Sequence, residues 1–307
     1  MTRPPFPEVL DSTIISSFRQ CGQQAFRQYV EHWKPKSESV HLVAGGAYAK
    51  GLEIARRAFY EQGKTPEVAE ALGLQALIKA YGSFECPPDS AKSLERTAGA
   101  LEFYFDRYPL ETDPAVPIAL PAGGRGIEFS FAEPIETRHP ETGNPLLYAG
   151  RMDTVVNFAG GIFGEDDKTT SQLGASWPRQ WDLRPQFTGY CWGAARAGIP
   201  LSGFLVRGVS ILKTKYDTME AITYRQPWMI DRWYEQLHHD VADMIRMWES
   251  GHWDYNEGEA CTHYGGCIFR QICMSKDPET WLEANFERRK WDPVAREESI
   301  IPIVEVA

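Results

Sequence analysis

The 307-residue sequence predicts an α/β protein, a mixed β-sheet flanked by helices with helical additions at both ends, and three observations carry that expectation. Segment order runs helices, three strands, a helix, two strands and a helix, which is the pattern of an α/β core. Apolar spacing is three and four in the helical stretches and two in the strands. A hydrophobic content of 43% with 24% charged residues supports a sizeable core and excludes disordered, collagenous and fibrous classes.

The elements follow in order. Residues 45–63, 66–84 and 90–109 read as three consecutive helices punctuated by Gly or Pro, and the Pro- and Gly-rich run 109–125 reads as a linker. Residues 126–134, 145–158 and 161–169 alternate like strands, and Gly160-Gly161 joins the last two as a hairpin. Residues 182–198 read as a helix with Asp182 as its N-cap and Pro185 in its first turn. Strands near 202–212 and 218–225 precede a long amphipathic helix over 227–250. The expected regions are therefore an N-terminal helical part (1–110), an α/β core (111–226) and a C-terminal helix with a cysteine-rich segment (227–307), integrated in one domain. The sequence has neither internal repeat nor low-complexity tract.

Lys and Arg number 32 against 42 Asp and Glu, a formal charge of -10, which argues against coating nucleic acid by bulk positive charge but permits a local basic groove. The N-terminus lacks the apolar stretch of a secretory signal, and no apolar run approaches a membrane span, so a cytoplasmic, reducing compartment is expected. There, clustered cysteines more often hold a metal than a disulfide.

The most informative chemistry lies on the 145–169 hairpin. A turn centred on Ala159 and Gly160 sets position 153 opposite position 166, so Asp153 and Asp166 project from one face about 5 Å apart at Cβ. Alternation adds Lys168 to that face and turns the Asp167 side chain away. Two carboxylates suit Mg²⁺ or Mn²⁺, which take one or two carboxylates plus substrate phosphate oxygens. Such an ion polarises a scissile phosphate and activates water, and Lys168 could position the nucleophile or stabilise developing charge. The competing reading is a solvated hairpin whose surface ion pair contributes under about 1 kcal/mol.

These residues resemble the PD-(D/E)XK nuclease superfamily, in particular its RecB-like exonuclease branch. The likeness rests on G-R-M-D ending at Asp153 and D-D-K-T-T from Asp166 to Thr170. Gln186 and Tyr190, one helical turn apart, look like the branch's Q-x-x-x-Y motif, which the resemblance implies contacts DNA beside the active site. Glu128 stands where the family often has an acidic residue on its first core strand. The resemblance thus implies Asp153, Asp166, Lys168, Gln186 and Tyr190 as the catalytic set. Asp153, Asp166 and the Asp167 backbone become metal donors, with Glu53 and Glu128 as further candidates.

One position departs from the pattern. The branch carries a His metal ligand in a helical stretch resembling F-G-S-A-F-H-K-G-L-E, whereas this chain reads A-G-G-A-Y-A-K-G-L-E with Ala49 at the His position. Loss of the imidazole is expected to weaken metal binding or shift metal preference. Glu53, one turn beyond Ala49 and on the same face, could replace it with oxygen. The competing reading has Glu53 facing solvent in an impaired or inactive enzyme.

Cys261, Cys267 and Cys273 are separated by five residues each, around Gly265-Gly266. Cys21, after a short helix-like run, is the candidate fourth thiolate. Relatives with an iron-sulfur cluster take one Cys from the N-terminal side and three from the C-terminal side. The resemblance therefore implies a 4Fe-4S cluster on these four, although some relatives space two cysteines only two residues apart. Zinc on the same thiolates is the alternative, with His263 as a further candidate ligand. Cys86 and Cys191 read as small buried residues.

For nucleic-acid contact, Trp177 with Arg179 and Trp181 with Arg184 are candidates for base stacking and phosphate binding on the approach to the Gln186 helix. The functional expectation is a metal-dependent DNA exonuclease in the cytoplasm of a bacterial or phage-infected cell. Its substrate would be single strands or free ends in recombination, repair or CRISPR-related processing, with a recombination, helicase or CRISPR-adaptation partner and no membrane. The alternative is a catalytically weakened nuclease-fold module that binds DNA or a partner and is stabilised by an iron-sulfur or zinc cluster.

Overall fold

A computed structural model describes residues 3–121, 123–262 and 266–295. The chain runs β1 (Val9–Asp11), α1 (Ser12–Gln20), α2 (Gly22–Ala25), a π-turn (Phe26–Val30), β2 (Trp33–Pro35), α3 (Val40–Tyr60), α4 (Pro66–Tyr81) and α5 (Leu94–Arg107). It continues with β3 (Val116–Pro117), β4 (Ile127–Arg138), β5 (Pro145–Phe158), β6 (Gly161–Thr170), a 3₁₀ turn (Pro178–Trp181), α6 (Pro185–Arg196), β7 (Gly203–Ile211) and β8 (Tyr216–Tyr224). Last come α7 (Pro227–Ser250), a 3₁₀ turn (Glu259–Cys261), α8 (Arg270–Met274), α9 (Pro278–Asn285) and β9 (Phe286–Arg288). The α/β class holds, and β5 and α7 begin and end where the sequence patterns place them.

The described chain divides into two compact units. One comprises the stretch up to Glu38 with Ser130–Gly150 and Pro227–Ala295; the other comprises Ser39–Phe129 and Arg151–Gln226. The second unit joins the helices α3, α4 and α5 to the strands β6, β7 and β8, so the helical region does not separate from the core at residue 110. The run 109–125, expected as a bare linker, contributes β3, which pairs with β5 through Val116 opposite Asn157.

In this second unit β5 and β6 pair antiparallel, from Phe158 opposite Gly161 to Thr154 opposite Glu165. Ala159 and Gly160 both have positive φ, 49° and 81°, as a two-residue hairpin of the type matching strand twist requires. The predicted turn centre and register are therefore the observed ones. β6 then pairs parallel with β7, from Phe163 opposite Gly203 to Thr170 opposite Ser210, and β7 pairs antiparallel with β8.

α3, α4 and α5 pack through Ala44, Tyr48, Leu52, Leu77, Leu101 and Tyr104 onto Val209 and Ile211 of β7. At the crossing of α3 and α4 a Cβ on Gly73 would stand 2.7 Å from the Gly51 carbonyl oxygen, so only glycine permits this approach. α6 begins at Pro185, capped by Arg184, and not at Asp182 as expected. Proline's fixed φ and missing N–H suit the first helical position, and Asp182 instead closes the 3₁₀ turn before it.

In the first unit β1 pairs parallel with the start of β5, Val9 opposite Leu147. Asp11 caps α1 by accepting from the Ile14 amide at 2.8 Å, and Arg19 of α1 pairs with Asp240 of α7. Trp33, Phe269, Ile272, Leu282 and Phe286 form a small core, with the Phe269 and Phe286 rings stacked at 5.1 Å, beside the antiparallel β2–β9 pair. Among the described residues no helix is long and apolar enough to cross a membrane.

Candidate nuclease site

β5 and β6 build the site. Extending their register by one pair sets Asp153 across from Asp166, and Asp153 Oδ2 accepts a 2.9 Å hydrogen bond from the Asp167 amide. Lys168 Nζ lies 2.6 Å from Asp166 Oδ2, a close ion pair. Burial, then the neighbouring Asp166 carboxylate, pushes Asp153 well above the ordinary carboxylate range. Burial also raises Asp166, against the pull of Lys168. Lys168 is itself raised, because the two aspartates outweigh its desolvation. The site thus holds more buried negative charge than one lysine offsets.

α6 closes one side. Gln186 Nε2 donates to the Tyr190 hydroxyl at 3.0 Å, confirming that the two share a helix face. Burial pushes the Tyr190 hydroxyl up to about 12, and Asp166, Lys168 and Asp153 all act on it electrostatically. Arg184, exposed at the start of α6, acts on Asp166 in the opposite sense, lowering it. Arg179 is exposed on the preceding 3₁₀ turn.

α3 lines the other side. Ala49, Leu52, Glu53 and Arg56 surround a small cavity with Glu128, Asp153 and Asp167. Glu53 shares this cavity with Asp153, as the helix spacing predicts, but its carboxylate is already engaged by Lys50 at 2.8 Å and Arg57 at 3.1 Å. Glu128 sits at a positive φ of 53°, uncommon for a non-glycine residue, and pairs with Arg151 at 3.1 Å.

Two expectations are corrected. Trp177 and Trp181 are only 6% and 7% exposed. Trp177 packs on Gly208 and edge-on to Trp181, which contacts Phe187. With both rings covered, neither offers a face for stacking a base, and their spacing reflects core packing.

Sequence reasoning missed the charge network behind the strand. Asp167 and Glu165 alternate to the opposite face from Asp166, where Arg56 holds Asp167 at 2.7 Å and Glu165 at 3.1 Å. Arg207 of β7 holds Glu165 at 2.9 Å and also pairs with Asp113 and Glu220, and the Tyr104 hydroxyl accepts from both arginines. Burial pushes Glu165 up to about 7 despite the two guanidiniums. Charges on both faces of a buried strand were the available signal, since each face then requires a cation.

The sequence pattern of the PD-(D/E)XK nuclease superfamily matches residues 12–274. The chain belongs to the PD-(D/E)XK nuclease superfamily. Among solved structures, this PD-(D/E)XK protein is similar to a candidate exonuclease from Eubacterium rectale at 13% identity and a TM-score of 0.49, covering 84% of this chain and 88% of that one. It is also similar to a protein titled SSO0001 at 17% identity and a TM-score of 0.31, covering 74% and 84%. No curated protein matches the sequence.

The four predicted cluster cysteines all belong to the first unit. Cys21, Cys261, Cys267 and Cys273 line one cavity of about 270 Å³, together with Gln24, Asn256 and Met274. Burial, then the proximity of the other thiols, raises Cys267 and Cys273. Among the described residues no three His, Cys, Asp or Glu side chains are grouped so as to hold a metal ion. His263 and Gly265 lie outside the described residues. Cys191 is buried as expected, whereas Cys86 is partly exposed.

Proposed function

We propose that the chain is a divalent-metal-dependent deoxyribonuclease of the exonuclease type, hydrolysing phosphodiester bonds of single-stranded DNA or of DNA ends. The observation that carries this reading is the convergence of Asp153, Asp166 and Lys168 on one hairpin beside the Gln186–Tyr190 pair.

The donor set fits a hard cation. Two buried carboxylates repel each other, and a bound ion would relieve that repulsion. Mg²⁺ needs only one or two carboxylates with water and phosphate, so the absence of a three-residue cage is compatible with it. Asp153, Asp166 and the Asp167 backbone would hold the ion, with Glu53 and Glu128 lining the adjoining cavity. When bound, it polarises the scissile phosphate and activates water. Lys168 orients the attacking water and offsets charge developing on the phosphate, while Gln186 and Tyr190 fix the strand alongside. Arg184 and Arg179, exposed before and at the start of α6, are phosphate contacts.

We infer a 4Fe-4S cluster on Cys21, Cys261, Cys267 and Cys273 from the sequence resemblance, and the lining of one cavity by these four residues is what favours it. Its role is structural, tying residue 21 to the C-terminal segment. Recombination, repair or CRISPR-related processing is the setting we infer, with a helicase or adaptation partner.

One observation favours a second reading: Ala49 lines the metal-side cavity where the family's imidazole would stand. That reading is a nuclease-fold binding module without turnover. Incubation of end-labelled single-stranded DNA with Mg²⁺ and, separately, Mn²⁺ distinguishes the two. Cleavage abolished by Asp166→Ala supports the enzyme, and no cleavage with either ion supports the module.

A further inference from the structure

Arg56 of α3 is 5% exposed, and its guanidinium contacts both strands that carry the nuclease centre. Nη1 donates to the Thr154 hydroxyl at 3.0 Å and to Asp167 Oδ2 at 2.7 Å. Nη2 donates to the Tyr104 hydroxyl at 2.7 Å and lies 3.1 Å from Glu165 Oε1. Thr154 directly follows Asp153 on β5, and Glu165 and Asp167 flank Asp166 on β6. Side chains alternate along a strand, so this fork grips the neighbours of both carboxylates from the face opposite them. The described β5–β6 register closes at Thr154–Glu165, and just beyond it the Asp167 amide donates to Asp153 Oδ2 at 2.9 Å. Arg56 thus reaches Asp153 through one intermediate residue: it holds the Asp167 side chain, and the Asp167 amide holds the carboxylate.

Arg207 belongs to the same network but not to this arrangement. It shares Glu165 and the Tyr104 hydroxyl with Arg56, while its other carboxylates are Asp113, before β3, and Glu220 on β8. We propose that Arg56 is a positioning residue of the nuclease centre, bracing β5 and β6 from behind so that Asp153 and Asp166 keep the spacing a divalent ion requires. A guanidinium suits this role because its planar fork presents fixed donors to several oxygens at once, whereas an ammonium is a point charge on a flexible stem. Arg56 acts through Asp167 and Thr154 and not on the DNA strand. This inference rests on the reading of the hairpin as a metal-dependent nuclease centre.

The test is calorimetric titration of Mn²⁺ into the full chain without DNA, following the binding that Asp166→Ala abolishes. Arg56→Lys keeps the buried charge and loses the fork, and is expected to weaken that binding about tenfold, the scale for residues that orient metal ligands. It should also lower kcat for DNA cleavage at saturating Mn²⁺ while leaving KM for DNA unchanged. Thr154→Val removes one hydrogen bond, leaves no charge unpaired and should weaken Mn²⁺ binding in the same direction. Arg207→Lys is the structural control, expected to lower the melting midpoint and to keep wild-type Mn²⁺ affinity. Wild-type affinity in a folded Arg56→Lys, or an equal loss in Arg207→Lys, would overturn the positioning role while leaving the nuclease reading in place. If Arg56→Lys does not fold, Thr154→Val decides by the same criterion. A wild-type chain whose Mn²⁺ binding is untouched by Asp166→Ala would instead remove the metal-centre reading, and the role of Arg56 with it.

Discussion

Asp153 is where the demands of folding and of chemistry oppose each other. Burial and Asp166 raise its folded-state value above that of the unfolded chain, so the fold favours its neutral form. The sign follows: stability is greatest below the unfolded carboxylate value near about 4 and is lost as pH rises through the folded value. In EDTA the wild-type chain should therefore melt lower at neutral pH than near pH 5 by this contribution, and Asp153→Asn should remove part of the difference and raise the neutral-pH midpoint. The same substitution should lower DNA cleavage by about 10²-fold or more, the scale of losing one electrostatic stabiliser. Calorimetry with and without Mn²⁺ checks both, since the ion should restore the neutral-pH midpoint of wild type and leave Asp153→Asn unchanged. Glu53→Gln tests the substitute-ligand idea at the same scale. If Glu53 supplies an oxygen in place of the imidazole lost at Ala49, its Mn²⁺ requirement for cleavage should rise about tenfold, and an unchanged requirement assigns Glu53 to its ion pairs with Lys50 and Arg57 alone.

At the scale of the element, β6 is a strand with a working face and an anchored one. Asp166 and Lys168 occupy the first, while Glu165 and Asp167 tie the second to α3 and β7 through Arg56 and Arg207. Arg56→Met leaves two buried carboxylates short of a cation and should cost about 3–5 kcal/mol in urea unfolding. Adding Asp167→Asn should recover part of that loss, and additive losses in the double mutant would show that the two do not interact. The hairpin itself was legible in sequence because its information is local. Period-two alternation and a turn tolerant of positive φ at Ala159 and Gly160 fix the register, and the register fixes which carboxylates meet. The Arg56–Asp167 and Arg207–Asp113 pairs were not legible, since their members are about a hundred residues apart and nothing in local spacing couples them. Trp177 and Trp181 misled for a related reason: arginine beside tryptophan looks the same whether the ring is solvent-facing or covered, and only tertiary packing against Gly208 and Phe187 decides it.

For the whole molecule, the chemistry divides between two units, the acidic hairpin in one and the four cysteines in the other. The formal charge of -10 is compatible with the proposed DNA enzyme because part of it lies in buried carboxylates beside Lys168, with exposed Arg184 and Arg179 on the α6 side. Protein purified without oxygen should carry about four iron and four sulfide per chain, and Cys21→Ser should lose them and melt lower, as expected of a cross-link closing a long loop. Zinc in place of iron would reverse that assignment. The central claim is metal-dependent hydrolysis at Asp153, Asp166 and Lys168, and the most direct measurement is release of nucleotides from end-labelled single-stranded DNA by wild type and Asp166→Ala, each with Mg²⁺, Mn²⁺ or EDTA. Release by wild type only with a divalent ion, and none by Asp166→Ala, is the predicted result. Equal release by the two proteins, or release that persists in EDTA, would contradict it.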